Sequence, residues 1–435
     1  MNSARTPRRR ADAARNDELL LQAGLELLRE KGPDRLAALD VARRAGLTTG
    51  ALYARYENNE EILVGLWQKS LREPLRTYFS DTVRMSTGDG STDDPIRHSL
   101  TDPSSPLLAA ISLLIATPRI TELTEVVIPD VQSMLRDLGV TDDCDDPRSM
   151  RILGAVSTAL GCLYFAAADM LNIGDWPLIR SWLRFINTDE SGQTPLPLEP
   201  ATLSDLIVDT GDAARDALVN AAAGVIARSG LERATTQRVA RGANLPPSTL
   251  FSEYGNRQAL FADVVVKLLR EIYEKNRYRI FFDQISTPAD PTVPLSGWDD
   301  PRLQAFRDSM VTGVAANVTG LLGRPGLAHR RIRLEFHLAA IHNADVRNEL
   351  RRVDDSTNGM AIHNLQTTFN LPPAVAEPGT RTSRTIAQGA MLLEDVSHMV
   401  SGRDIRFING PFANFCCSTA LGMSTGPIPA TTNHR

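Results

Sequence analysis

The sequence predicts an all-α chain built from two tandem copies of one helical unit. Three observations carry this. Shifting the numbering by 198 aligns residues 20–63 with 218–261 without a gap, and Leu20, Ala23, Gly32, Arg35, Val41, Ala42, Arg43, Ala45, Leu47, Leu52, Tyr56 and Asn58 recur as Leu218, Ala221, Gly230, Arg233, Val239, Ala240, Arg241, Ala243, Leu245, Leu250, Tyr254 and Asn256. Apolar residues come three and four apart with charges between them, the period of an amphipathic helix, and no run alternates with the period of a strand. The composition agrees: aromatics make up only 6% of the 435 residues, while Ala, Leu and Arg are abundant.

Taken in order, residues 1–15 carry Arg5, Arg8, Arg9, Arg10 and Arg15 against Asp12 alone and read as a basic, flexible arm. Residues 17–31 place Leu20, Leu21, Gly24, Leu27 and Leu28 on one helical face, and Gly32-Pro33 stops that helix. A short helix over 37–45 ends at Gly46. Thr48 is a good N-cap for a third helix through Ala54. Asn58 caps a fourth, with Glu60 and Glu61 favourably placed in its first turn. Residues 86–106, rich in Gly, Ser, Asp and Pro, read as a loop. Helical patterns resume at 105–117, 119–138, 148–172 and 176–187, and 188–202 is a polar, proline-containing linker. The tail, 423–435, reads as disordered.

The charge balance narrows the function. Lys+Arg is 47 against 52 Asp+Glu, a net charge of -5. This excludes a globally basic coat protein for nucleic acid and leaves room for a DNA binder with one local basic face. The four cysteines form no C-x-x-C pair, which fits a reduced, cytoplasmic setting. The basic N-terminus is not followed by the apolar run of a signal peptide, and no stretch of ~18 uninterrupted apolar residues predicts a membrane span.

Chemistry-bearing motifs are absent. There is no G-x-S-x-G, no P-loop and no G-x-G-x-x-G in the right context. Glu394 and His398 share a helix face but stand alone. His337 and His342, five apart, point to different faces and make a poor metal pair. Cys416-Cys417 reads as small buried side chains. No catalytic residue, metal site or cofactor is expected, and the chain is not read as an enzyme.

The repeated unit has helix-turn-helix spacing: a short helix, a tight turn at Ala45-Gly46-Leu47-Thr48, then a second short helix. In the second copy the turn is Ala243-Asn244-Leu245-Pro246, with Asn the best substitute for a glycine at positive φ. The segments RRAGLTTGALYARYENNEEIL and RGANLPPSTLFSEYGNRQALF resemble the DNA-binding end of TetR-family transcriptional regulators. The first copy matches the family pattern at Val41, Ala42, Ala45, Gly46, Leu47, Thr48, Gly50, Leu52, Tyr53, Tyr56, Glu60 and Ile62. The second matches at Val239, Ala240, Ala243, Leu245, Thr249, Leu250, Tyr254 and Leu260. Residues 334–340 and 345–350 also look like the family's regulatory domain.

The resemblance implies, in each unit, a helix-turn-helix bundle followed by a helical bundle that binds a small effector and dimerises. It places DNA contacts at Thr48, Thr49, Gly50, Tyr53, Arg55, Tyr56 and Asn59 in the first copy. In the second it places them at Thr235, Gln237, Ser248, Thr249, Phe251, Tyr254 and Arg257. Several departures matter. Phe251 lacks the hydroxyl of Tyr53. Glu253 stands opposite Arg55, where a carboxylate would repel phosphate. Asn59 is a weaker phosphate donor than the family's lysine, whereas Arg257 keeps the charge. Thr235 caps its helix where the first copy has Ala37. The two copies therefore carry complementary losses and expose different recognition surfaces.

The domain reading follows: arm 1–15, first DNA-binding domain 16–63, first regulatory domain 64–188, linker 189–211, second DNA-binding domain 212–261, second regulatory domain 262–420 and tail 421–435. The expected function is sequence-specific binding of double-stranded DNA, as a repressor released by a small-molecule effector. The walls of its pocket are sought at 107–116, 150–170 and 310–322. The two repeats would form an intramolecular pseudo-dimer, or two chains a homodimer, with half-sites roughly 34–36 Å apart or a multiple of that. The alternative is a ligand- or protein-binding module in which one or both helix-turn-helix units have lost DNA binding.

Overall fold

The computed structural model describes residues 5–89, 91, 93–188, 198–203, 206–272 and 293–422, and among these all regular structure is helical. The first unit comprises α1 (Arg5–Lys31), α2 (Ala38–Arg44), α3 (Thr49–Tyr53), α4 (Asn59–Leu66), α5 (Arg72–Ser86), α6 (Asp93–Thr101), α7 (Pro106–Ala116), α8 (Thr121–Asp137), α9 (Pro147–Ala167) and α10 (Trp176–Phe185). The second comprises α11 (Ala213–Ser229), α12 (Thr236–Gly242), α13 (Pro247–Tyr254), α14 (Arg257–Arg270), α15 (Pro301–Ser309), α16 (Ala315–Leu322), α17 (Leu327–His342), α18 (Ala344–Phe369), α19 (Pro373–Ser397) and α20 (Arg406–Ala420). The stops and caps read from the sequence hold. Gly32 and Gly230 end α1 and α11 at φ of 79° and 83°. The Asn58 and Asn256 side chains accept from Glu61 N at 2.8 Å and Ala259 N at 2.9 Å.

Two expectations change. The basic arm is helical from Arg5 and continuous with α1. Pro7 sits in the first turn, where its missing N–H costs nothing, and the alanines and arginines after it are good helix formers. The expected loop at 86–106 contains α6. Ile96 and Leu100, four apart, are buried. Asp93 at the head of α6 accepts from Trp176 Nε1 at 3.0 Å and from Arg180 at 2.6 Å. Residues 189–197, 204 and 205 of the expected linker and the tail from 423 lie outside the described residues.

The two units pack through α9, α10, α19 and α20. A Cβ on Gly161 of α9 would overlap the carbonyl of Thr385, and one on Gly389 of α19 would overlap the carbonyl of Ser157. Each glycine thus meets the backbone four residues before the other, so the crossing is reciprocal, as in a two-fold interface. Trp182 of α10 meets Phe412 of α20 edge-on at 5.1 Å, and Phe185 meets Phe415 at 5.5 Å. Among the described residues α9 is the single helix long and apolar enough to cross a membrane, and most of that stretch is buried in this core. A second reciprocal contact joins the ends of α1 and α11. Arg35 pairs with Glu232 at 2.5 Å, and its repeat mate Arg233 pairs with Asp34, the mate of Glu232, at 3.3 Å.

Candidate DNA interface and ligand cavity

The turn before each recognition helix has the geometry the sequence demands: Gly46 at φ 67° and Asn244 at φ 55°. Thr48 is extended and its Oγ1 accepts from Ala51 N at 3.2 Å, so it caps α3. Leu52 and Leu250 are buried and pin α3 and α13 to their units. The opposite faces are open. Tyr53 is 55% exposed and Phe251 52%, and Thr48, Thr49, Gly50 and Ser248 are exposed beside them, with Thr249 half-buried. Two large rings standing out at equivalent positions are not packed under their helices; they occupy the surface the resemblance assigns to DNA.

Other expected contacts are placed elsewhere. Tyr56 is buried, and its hydroxyl donates to Asp17 at 3.5 Å; burial and then that carboxylate push its pKa up to about 12. Tyr254 is half-buried, donates to Asp263 at 2.7 Å and lies under Arg215. Both tyrosines anchor the fourth helix to the unit instead of facing outward. Asn59 Oδ1 accepts from Ala38 N at 2.9 Å, supplying the cap that Ala37 cannot. Arg257 donates to the carbonyls of Leu231 at 3.1 Å and Glu232 at 3.2 Å and lies over Phe261, so it braces the turn after α11. Arg55 donates to Ala51 O at 3.2 Å and pairs with Asp17 at 3.5 Å. Thr235 caps α12, accepting from Arg238 N at 3.3 Å, and Gln237 is exposed at the start of the same helix.

Arg215 was missed in the sequence and answers the main objection to the second copy. Its Nε donates to Glu253 at 3.2 Å, so the carboxylate expected to repel phosphate has a cationic partner within its own unit.

His337, His342, Cys162, Cys416 and Cys417 pack in the interior, whereas Cys144 is exposed. His337 stacks on Tyr164 with centroids 3.4 Å apart and its Nε2 meets the Tyr164 carbonyl; burial lowers its pKa to about 3. His342 Nε2 is 3.2 Å from Ser112 Oγ, and burial lowers its pKa to about 4. Glu394 accepts from Val400 N, Ser401 N and Ser401 Oγ, closing the end of α19, while His398 is exposed at a left-handed turn. Among the described residues no group of His, Cys, Asp and Glu is placed to hold a metal ion.

The part of the second unit after α14 contains a mainly apolar cavity with about 1180 Å³ of atom-free space, counting its open mouth. Of the three expected pocket walls, 310–322 lines it, through Met310, Gly313, Val314, Asn317, Val318 and Leu321. The π-helical turn Met310–Val314 joins α15 to α16 there. Residues 107–116 are packed in the core, and α9 is spent on the interface between the units. Polar groups are few at the cavity: Arg333, Arg384 and Gln388 among them, and Gln388 Oε1 is buried without a partner among the described residues.

A buried charge network joins this part of the chain to both helix-turn-helix units. Arg119 donates to Asp34 through both terminal nitrogens, at 2.7 and 2.6 Å, and through Nε to Glu335 at 2.7 Å. Glu335 also accepts from Leu231 N at 3.3 Å. All three side chains are less than 8% exposed. Burial pushes the Glu335 carboxyl up, with Arg119 pulling against it.

The family model for bacterial regulatory proteins of the tetR family matches residues 20–66 and again residues 218–264. The first span covers α2–α4 and the C-terminal part of α1; the second covers most of α11, then α12, α13 and the first part of α14, so both include the helices with the exposed outer faces. No curated protein matches the chain.

Proposed function

We propose that this chain, a DNA-binding transcriptional regulator of the TetR type with its two units in tandem, is a cytoplasmic repressor that binds its operator as an intramolecular pseudo-dimer and is released by one small molecule. The observation that carries this reading is the course of α17. Arg333 on this helix lines the cavity. Two residues on, Glu335 holds Arg119, and through it Asp34 of the first DNA-binding unit, as well as Leu231 N of the second. At its end His342 lies against Gly32. One helix thus touches the ligand space and the root of both DNA-binding units.

The effector that suits the cavity has an apolar body and a polar end that donates to Gln388 Oε1. It releases DNA only if it binds the released arrangement more tightly than the DNA-bound one. Activity of both units is supported by the Arg215–Glu253 pair and by the Asn59 cap, which make good the second and first copies' apparent losses. Tyr53, Thr49 and Gly50 in one unit and Phe251, Ser248 and Gln237 in the other then read unlike half-sites.

The test is selection of bound duplexes from a random pool, with footprinting of the winners. An asymmetric site with two unlike half-sites one or two helical turns apart is expected. A perfect palindrome would instead mean that two chains pair and one type of unit reads. No enrichment, together with affinity that does not fall with salt, would overturn DNA recognition altogether, since phosphate contacts impose a steep salt dependence.

A further inference from the structure

We propose that the cleft between the two units is a binding site for a small aliphatic di- or polyamine. The cleft is separate from the apolar cavity and holds about 990 Å³ of atom-free space, counting its mouth. The first unit contributes the end of α9 and the turn into α10; the second contributes α18 and α19. Its charges nearly cancel in pairs: Asp169 with Arg351 at 2.8 Å, Asp175 with Arg381 at 2.5 Å, and Asp354 with Arg384.

What is left over defines the ligand. Asp355 is exposed at the cleft and makes no ion pair among the described residues. Asn358 and Thr382 also line it, only 8% and 1% exposed, and among the described residues Asn358 Oδ1 and Thr382 Oγ1 have no hydrogen-bond partner. A buried oxygen with no donor costs about 1–3 kcal/mol. The cleft therefore offers one carboxylate outside any close ion pair, attracted only at longer range by Arg381, together with one amide oxygen and one hydroxyl that lack partners among the described residues. An ammonium group supplies both the charge and several N–H donors. An anion finds the arginines already paired. A metal ion finds no cluster of three ligating side chains among the described residues. Phe165, Leu171 and Ile179 on the same walls suit the methylene chain of an amine. Because the walls come from both units, an occupant fixes the position of one unit against the other.

The experiment is calorimetric titration of the full chain, without DNA, with putrescine and with spermidine at low and moderate salt. One saturable site per chain is expected. Asp355→Asn should weaken it roughly tenfold, as loss of a charged hydrogen bond does. The fold should be unchanged, because Asp355 is exposed and unpaired; circular dichroism checks this. Thr382→Val, nearly equal in volume, should weaken it as well. Absence of saturable heat overturns the proposal. So does equal binding by both variants, or full displacement by magnesium at matched ionic strength, which would mean diffuse attraction to an acidic protein. None of these readouts depends on operator binding, so failure here leaves the repressor reading standing.

Discussion

Arg119→Met is the most informative single change. It removes the cation that ties Asp34 to Glu335: Asp34 keeps Arg233 at 3.3 Å, while Glu335 stays buried with no cation and only the Leu231 N–H to answer it. Three charged hydrogen bonds of 2.6–2.7 Å are lost from a side chain that is 7% exposed. Breaking a buried ion pair from one side costs about 3–5 kcal/mol, chiefly because the orphaned charge stays out of water. Urea unfolding near neutral pH, followed by circular dichroism, should show a loss in that range. The triple variant Asp34→Asn, Arg119→Met, Glu335→Gln should recover most of it, because no buried charge is left unanswered. Arg119→Lys should fall between, since one ammonium cannot reproduce a bidentate fork with a third bond from Nε. The variant should also discriminate less well between half-site spacings on DNA, because the root of the first unit is no longer held to α17. A loss below about 1 kcal/mol, or a triple variant no better than the single one, would refute the view that this network clamps the units.

Gly389→Ala places a methyl group on the Ser157 carbonyl and should cost about 1–3 kcal/mol in denaturant unfolding by overpacking the crossing. Tyr53→Ala should weaken operator binding while leaving the unfolding midpoint unchanged, because the ring is more than half exposed; an equal loss of stability would argue that the ring serves the core. Thr48→Ala and Thr235→Ala each remove a cap and should cost about 1 kcal/mol in unfolding of the chain. His337 has its folded pKa lowered to about 3 by burial, so the unfolded chain binds the extra proton first. The stability this neutral ring contributes is complete above its free pKa of about 6.5 and falls as pH drops toward the folded value. At pH 5 the loss is about 2 kcal/mol, which His337→Phe should abolish in unfolding measured at both pH values.

The repeat made the helix-turn-helix legible, because turns and caps are local: Gly46, Asn244, Thr48, Asn58 and Gly32 each act on residues within one turn of themselves. What the sequence hid was long-range. Asn59 reads as a phosphate ligand by position, and only the approach of α2 turns it into a cap. Glu253 reads as repulsive until Arg215, in the preceding helix, is seen across from it. The signal for the Arg119 network was present as a lone carboxylate, Glu335, inside the apolar run from Leu334 to Leu338; a buried carboxylate needs a partner, but nothing local names Arg119. Asp93 and α6 were lost in a stretch whose Gly and Ser content outweighed two apolar residues four apart. Of the three apolar stretches proposed as pocket walls, hydrophobicity could not separate a wall from a core, since both bury the same side chains.

Tandem fusion explains which features stayed alike and which drifted apart. In a pair of identical chains, every change appears twice and association depends on concentration. Joining the copies makes the second contact intramolecular, so docking no longer rests on interface strength alone. The reciprocal contacts that need both copies remain paired: Gly161 with Gly389, and Arg35–Glu232 with Arg233–Asp34. Contacts that serve one copy only have diverged, with Thr235 or Asn59 as the cap and Tyr53 or Phe251 on the outer face. The apolar cavity is also unpaired, for its walls come from the second unit. Under the proposed function one cavity serves both helix-turn-helix units, because α17 reaches the roots of both from that side.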